Sequence, residues 1–325
     1  MADGQITDQD ETIPHLLRLD VRTALEDSLA ESTMSTYRSG VKSFARFCVR
    51  QNRRALPASP HTLVAFAVDL AKSIKVGTIR SYLAGITTMH IHSGYSDPAK
   101  DFPMLQKALK GIAKQQATLE KATRLPITTG IMRRLHSCVD HASSDDKLFW
   151  AMATTAFCGF LRLGEISVRT QNDARKVPKV KDLHVMGDYA LLHLPYSKGD
   201  PRGNGVQVPL PKSNGVLCPI KAITAYLESL PARRANAPLF QRNGRAVQRE
   251  WMVSKLRDFL FRLGLHPENY AGHSFRVGAA TSAAAAGVPD SLVKVMGRWK
   301  SDCFRVYVRT TLDSMLQCGR TIMQQ

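Results

Sequence analysis

The sequence predicts a mainly α protein of two domains. A helical domain spans residues 18–116, and a mixed α/β domain with a small antiparallel sheet spans residues 127–325. Three features carry this. Apolar residues recur at steps of three and four from Ser28 to Gln116, with no strand-like alternation. Residues 117–126, "ATLEKATRLP", are polar and close on Pro126, as a linker does. Further on, "VKDLHVMGDYALLHLPYSKGDPRGNGVQVPLP" alternates apolar and polar residues around Gly187-Asp188 and around "SKGDPRGNG". That pattern predicts antiparallel strands joined by two tight turns.

Ahead of the first domain, residues 1–17 are polar and acidic and read as a disordered leader without the apolar core of a secretory signal. In the first strong helix Tyr37, Val41, Phe44 and Cys48 form a buried face. Arg38, Lys42, Arg46 and Arg50 recur every four residues on the opposite flank, with no acid among them. Such a stripe is either a solvated surface or a face that contacts phosphates, and the lack of acids along it favours the phosphate-contacting, DNA-binding reading. A second helix starts at "SPHTLVAF". A third buries Ile79, Leu83 and Ile86 and leaves Lys75, Arg80 and Thr87 for a duplex; a fourth, "FPMLQKALKGIAKQQ", is again basic. Beyond the linker, "TTGIMRRLHSCVD" and "DDKLFWAMATTAFCGFLRLGEI" are helical, and helices resume after the sheet with "PIKAITAYLESL". "GAATSAAAAG" is a small-residue helix that invites close packing.

Charge narrows the partners. The 325 residues include 45 Lys+Arg against 27 Asp+Glu, a formal net charge of +18, with a pI near 9.9. That excess points to a polyanion, nucleic acid before a membrane surface. The longest uncharged apolar stretch, "WAMATTAFCGFL", is too short to span a bilayer. Six scattered cysteines with no C-x-x-C pair suit a reduced, intracellular protein. No phosphate-binding G-x-x-x-x-G-K-[ST] loop, H-E-x-x-H or spaced acidic trio occurs, so no cofactor or metal is expected, and the His90-x-His92 pair finds no further ligands.

What remains is a set of cations, hydrogen-bond donors and one phenol. Arg162 interrupts an apolar segment and needs a counter-charge; Glu165, three residues on, either neutralises it or orients it toward a bound phosphate. Lys198 sits at the tip of the expected hairpin. His273 and Arg276 are three apart at a helix start, where an anion is favoured. Trp299 and Tyr307 follow in "GRWKSDCFRVYVRT". Together they suit one reaction. A tyrosine oxygen attacks a phosphodiester, giving a 3′-phosphotyrosine and a free 5′-hydroxyl. Arginines clamp the non-bridging oxygens, lysine protonates the leaving oxygen, histidine moves a proton, and the indole N–H donates to an oxygen.

These residues, in this order, resemble the tyrosine recombinase (phage integrase) family over about residues 18–315. The matching motifs are "GFLRLGEI", "SKGD", "HSFR", "GRWKS" and "VYVRT". The resemblance implies the DNA breaking-rejoining fold, with a SAM-like core-binding domain ahead of the catalytic domain. It assigns Tyr307 as nucleophile and Arg162, Lys198, His273, Arg276 and Trp299 as its catalytic partners. Phe160 stands where the family runs straight from glycine to leucine, and Trp299 replaces the commoner histidine. The step from Trp299 to Tyr307, 307 − 299 = 8, is one shorter than the bacterial and phage norm. In this the chain resembles the eukaryotic mobile-element branch, the Crypton and DIRS-like recombinases. The resemblance further implies four protomers on paired DNA sites exchanging strands through a Holliday junction, in the nucleus if the host is eukaryotic and otherwise in the cytoplasm or nucleoid. The tail after Tyr307 either docks on a neighbouring protomer or folds back on its own. Two other readings stay open: a domesticated element that only binds specific DNA, and a type IB topoisomerase-like enzyme.

Overall fold

The computed structural model describes residues 28–118, 124–197 and 203–306, together with residues 20, 23, 24, 200, 320 and 323. The expected leader, Lys198, Tyr307, most of the tail and residues 119–123 of the linker lie outside the described residues. The chain divides into two compact units, Met1–Lys121 and Ala122–Gln325.

Among the described residues, the first unit contains four helices: α1 (Glu31–Arg50), α2 (Pro60–Ala71), α3 (Val76–His92) and α4 (Pro103–Thr118). Helix α1 buries Phe44, Phe47 and Cys48, and half-buries Tyr37 and Val41, as its periodicity requires. Phe66 of α2 meets Phe44 edge-on at 5.1 Å and Phe47 at 5.3 Å, which centres the core on three rings. Helix α2 starts cleanly because the Ser59 hydroxyl accepts from the Thr62 amide at 3.2 Å and Pro60 opens the first turn. Helices α1 and α3 approach closely through two glycines placed reciprocally. A Cβ on Gly40 would lie 2.7 Å from Tyr82 Cα, and one on Gly85 would lie 2.8 Å from Tyr37 Cα. Gln116 ties the far end of α4 into the bundle. Its Oε1 accepts from the Val76 amide at 2.8 Å, and its Nε2 donates to the Ala71 and Ile74 carbonyls. Those are backbone groups that helix ends would otherwise leave unpaired.

His90 is fully buried in this unit, with Nδ1 donating to the Ile86 carbonyl and Nε2 accepting from the Ala58 amide, both at 2.8 Å. Both ring nitrogens are thus occupied, which gives His90 a packing role, while His92 is exposed. The basic stripe is exposed along α1, and Lys75 and Arg80 are exposed on or beside α3. Two details depart from the sequence expectation. Folding brings Asp69 of α2 onto Arg50, so the stripe is neutralised at that end although no acid interrupts it in sequence. Thr87, expected to face a duplex, is half-buried and donates to Asp97 at 3.0 Å.

In the second unit the organising element is α6 (Ser144–Cys158), preceded by α5 (Thr129–His136). From Leu148 to Phe157 every residue of α6 is buried. Its hydroxyls are satisfied within the helix, Thr154 donating to the Trp150 carbonyl at 2.8 Å and Thr155 to the Ala151 carbonyl at 2.6 Å. After the four-residue α7 (Leu163–Ile166) come strands β1 (Leu183–Val185), β2 (Tyr189–Leu194) and β3 (Val206–Pro211), antiparallel in that order. Ala190, Leu192 and Leu194 of β2 and Val208 and Leu210 of β3 point into the core, in the register Leu192↔Val208. The first turn is tight, as expected. The second is not: residues 195–205 join β2 to β3, and Asp200 Oδ2 accepts from the Gly205 amide at 2.7 Å inside that loop. A second two-stranded hairpin, β4 (Gln241–Arg242) and β5 (Arg245–Ala246), is too short to leave an alternating pattern in sequence. Among the described residues, helices α8 (Pro219–Glu228), α9 (Arg249–Arg262), α10 (Ser274–Ala285) and α11 (Asp290–Met296) follow, and then a 3-10 turn at Asp302–Val306. The small-residue helix packs as its composition predicts. Gly278 lies directly on the Ile127 backbone, and the Ile127 amide donates to the Ser274 carbonyl at 3.0 Å.

Gly40→Ala should lower unfolding stability in urea by about 1–3 kcal/mol, because the added methyl has no room at the α1–α3 crossing. Gly111→Ala, at an exposed position of α4 with open space around it, should instead raise stability by about 0.5–1 kcal/mol.

Candidate active site

The site begins where α6 stops. The helix ends at Cys158, and the chain reverses through Phe160, whose φ of 51° lies in the left-handed region. That turn aims the Phe160 carbonyl inward and delivers Arg162 as the residue that caps α7. Because α7 is so short, Glu165 reaches back over its own first turn, where Oε2 accepts from the Arg162 amide at 2.8 Å. Oε1 pairs with Arg162 Nη1 at 3.1 Å and accepts from the buried Ser197 hydroxyl at 3.1 Å. The Arg162–Glu165 pair is therefore formed, with the carboxylate buried and the arginine side chain 33% exposed. Glu165 holds Arg162 by one edge and leaves the guanidinium partly open to solvent.

Arg276 arrives from the first turn of α10 and is fully buried. Its Nη1 donates to the Phe160 carbonyl at 2.8 Å, its Nη2 donates to the Gly297 carbonyl, and its guanidinium lies 4.3 Å from the centroid of the Trp299 ring. Carbonyl oxygens and the π-face of an indole stabilise a buried guanidinium. Trp299 is itself nearly buried, edge-on to Phe160 and tilted against Phe304. Its ring covers Gly297 so closely that any side chain there would collide with it. Arg276 and Trp299 thus pack against each other, both of them buried.

His273 caps α10 and is half-buried. Burial holds its pKa below the usual histidine range, and the positive field of Arg276, Arg162, Arg124 and Arg249 lowers it further. The imidazole is therefore neutral at pH 7 and able to accept a proton. Four arginines thus act on His273, while Glu165 pairs with Arg162 and Arg298, so the cluster carries an excess of positive charge.

Arg162, Glu165, His273, Arg276 and Trp299 thus meet at one place, although 137 residues separate the first from the last (299 − 162). Lys198 and Tyr307 lie outside the described residues; Ser197 and Val306, their neighbours, are described. Two residues of the cluster carry no signal in the sequence, Ser197 and Arg298. Ser197 is a serine in a polar turn. Arg298 stands beside a tryptophan in a basic segment and turns inward only because its φ is 54°. Tyr226 shows the opposite outcome for a buried tyrosine. Its hydroxyl donates to the Gln241 carbonyl at 3.0 Å and accepts from the Gln241 amide at 2.9 Å, and burial pushes its pKa up to about 12.

The fold is that of the tyrosine recombinases and integrases, a mostly helical protein with a small antiparallel sheet. Among solved structures, the XerH site-specific recombinase bound to a palindromic difH substrate aligns with a TM-score of 0.59 at 15% identity, over 87% of this chain and 76% of that one. A lambda integrase dimer bound to a COC′ core site aligns with a TM-score of 0.55 at 16% identity, over 90% and 94%. The Tn1549 transposon integrase in complex with transposon right end DNA aligns with a TM-score of 0.53 at 14% identity, over 82% and 84%. In sequence the chain is 27% identical over 297 residues to an integrase/recombinase XerD homolog of Selenomonas ruminantium, covering 88% of this chain and 83% of that protein. No family model matches.

The His273 environment gives a measurable pH dependence. In the DNA-free protein its ring should titrate below about 6.5 by NMR, and Arg162→Gln should move the midpoint upward. The unfolded chain binds a proton at the ordinary value and the folded site resists it. This increment of stability is therefore intact above about pH 6.5 and is lost as pH falls below it toward the lowered folded-state pKa.

Proposed function

We propose that the chain is a site-specific DNA recombinase or integrase that cuts and rejoins DNA through a 3′-phosphotyrosine at Tyr307. The observation that carries this is the convergence of Arg162, His273 and Arg276 around the buried Glu165, on the fold of enzymes solved with their DNA sites. The Tyr307 phenolate forms the new P–O bond, and the bond to the 5′-oxygen breaks. Arg162 and Arg276 take up the charge that grows on the non-bridging oxygens, with the Trp299 N–H as a further donor. His273, neutral at rest, accepts the phenol proton, and Lys198 supplies one to the leaving 5′-oxygen. The ester conserves the energy of the broken bond, so resealing calls for neither ATP nor a metal.

The wider assembly belongs to the same reading. Four protomers pair two sites and exchange strands in two steps through a Holliday junction, as in integration or excision of a mobile element. The lambda integrase structure is a dimer on its core site and the Tn1549 integrase was solved with transposon end DNA, which supports an oligomer on mobile-element ends. The eukaryotic mobile-element branch, and with it a nuclear location, is supported by "GRWKSDCFRVYVR" and its eight-residue step from Trp299 to Tyr307.

Incubation with nicked target duplex should give a covalent protein–DNA adduct that survives SDS, and Tyr307→Phe should abolish it. No adduct from the wild type, or an undiminished one from the variant, overturns the mechanism. For the helical unit, charge reversal at Arg38, Lys42 and Arg46 should weaken binding to every duplex. It should also flatten the salt dependence, by roughly one unit of slope for each phosphate that is no longer neutralised. Arg50→Gln should change binding much less, since Asp69 already holds that guanidinium.

A further inference from the structure

Arg298 ends α11 in a conformation that glycine ordinarily supplies. Its φ of 54° is unfavourable for a side chain with a Cβ, yet its amide still closes the helix by donating to the Val295 carbonyl at 2.9 Å. The turn sends the side chain inward, leaving it 16% exposed. There Nη2 lies 3.1 Å from Glu165 Oε2 and 3.5 Å from the Phe160 carbonyl, and Nη1 lies 3.2 Å from the Gly159 carbonyl. One guanidinium therefore touches the acceptor that Arg162 uses and the acceptor that Arg276 uses.

The division of Glu165 between the two arginines matters most. Each carboxylate oxygen serves one guanidinium, Oε1 for Arg162 and Oε2 for Arg298. A carboxylate and a guanidinium left to themselves prefer the two-pronged pairing, in which both oxygens take parallel N–H bonds from one arginine. With Oε2 taken by Arg298 and by the Arg162 amide, the Arg162 guanidinium is held by Nη1 alone. Arg298 also neutralises the charge that would otherwise oppose an incoming phosphate at short range.

We propose that Arg298 is a positioning residue for the phosphate clamp: by engaging Glu165 Oε2 it confines Arg162 to a one-pronged pairing and so leaves that arginine an edge for the scissile phosphate. The inference rests on the recombinase reading and adds to it a residue that does not touch the substrate. Without Arg298, Glu165 captures Arg162 with both oxygens and draws it off the reaction path. The defect then comes from the carboxylate's charge, so removing that charge should relieve it. A residue with only a packing role would show no such relief.

The test compares wild type, Arg298→Met, Arg298→Lys and the double variant Glu165→Gln with Arg298→Met in the full chain. The readout is the first-order rate of SDS-resistant adduct formation on nicked duplex at saturating protein, with duplex affinity and thermal melting measured alongside. Arg298→Met should slow the adduct step by roughly tenfold or more with duplex affinity unchanged. The double variant should be faster than Arg298→Met, and Arg298→Lys, which keeps the charge, should fall between Arg298→Met and wild type. Should Arg298→Met not fold, Arg298→Lys is read with and without Glu165→Gln, and the second change should again speed the reaction. A wild-type rate in Arg298→Met, or a Glu165→Gln change that only slows the reaction further, overturns the proposal. Those results leave a wild type that still forms the adduct; a wild type that forms none overturns the recombinase reading and this inference with it.

Discussion

One buried carboxylate organises the second unit. Glu165 binds the end of α6 to its own helix through the Arg162 amide, to the sheet edge through Ser197, and to the far end of the chain through Arg298. A carboxylate this deep is tolerable only with its charge matched and its oxygens occupied, and these contacts, with the Arg162 guanidinium, serve that end. Since they come from three separate parts of the chain, folding of the unit and placement of Arg162 are coupled.

Phe160 does for the carbonyl what Glu165 does for the charge. Its left-handed turn points a backbone oxygen at Arg276 and Arg298, while its ring packs edge-on against Trp299. Phe160 is therefore part of the framework that holds Arg276 and Arg298. It supplies the acceptor that lets two guanidiniums sit in one apolar pocket. The same economy appears at Gly297, whose carbonyl accepts from Arg276 while its missing side chain makes room for the indole.

Much of the helical unit was legible because a helix buries one face and its sequence shows it. Phe44 and Cys48, or Ile79, Leu83 and Ile86, fall inside for that reason. The Asp69–Arg50 pair and the reciprocal glycine contacts of α1 and α3 were not legible, since they depend on which helices become neighbours. The three-stranded sheet was legible from alternation with a period of two. The length of its second connection was not, because turn residues mark a turn without fixing where the pairing resumes. At the site, Arg162 and Glu165 could be paired by their spacing alone. Arg298 could not, because a single left-handed φ decides whether it faces water or the carboxylate.

By itself, then, the sequence determined the fold class, the basic character of the surface, and the chemical kinds gathered for the reaction. These follow from periodicity, net charge and short motifs, which are local or additive properties of a chain. Only the tertiary structure decided how the charges are shared: that Glu165 is divided between two arginines, that Arg276 is sheathed by carbonyls and an indole, and that His273 sits neutral in a positive field. Hydrogen bonds and desolvation act over a few ångströms between residues more than a hundred positions apart, and no pattern along the chain encodes that distance.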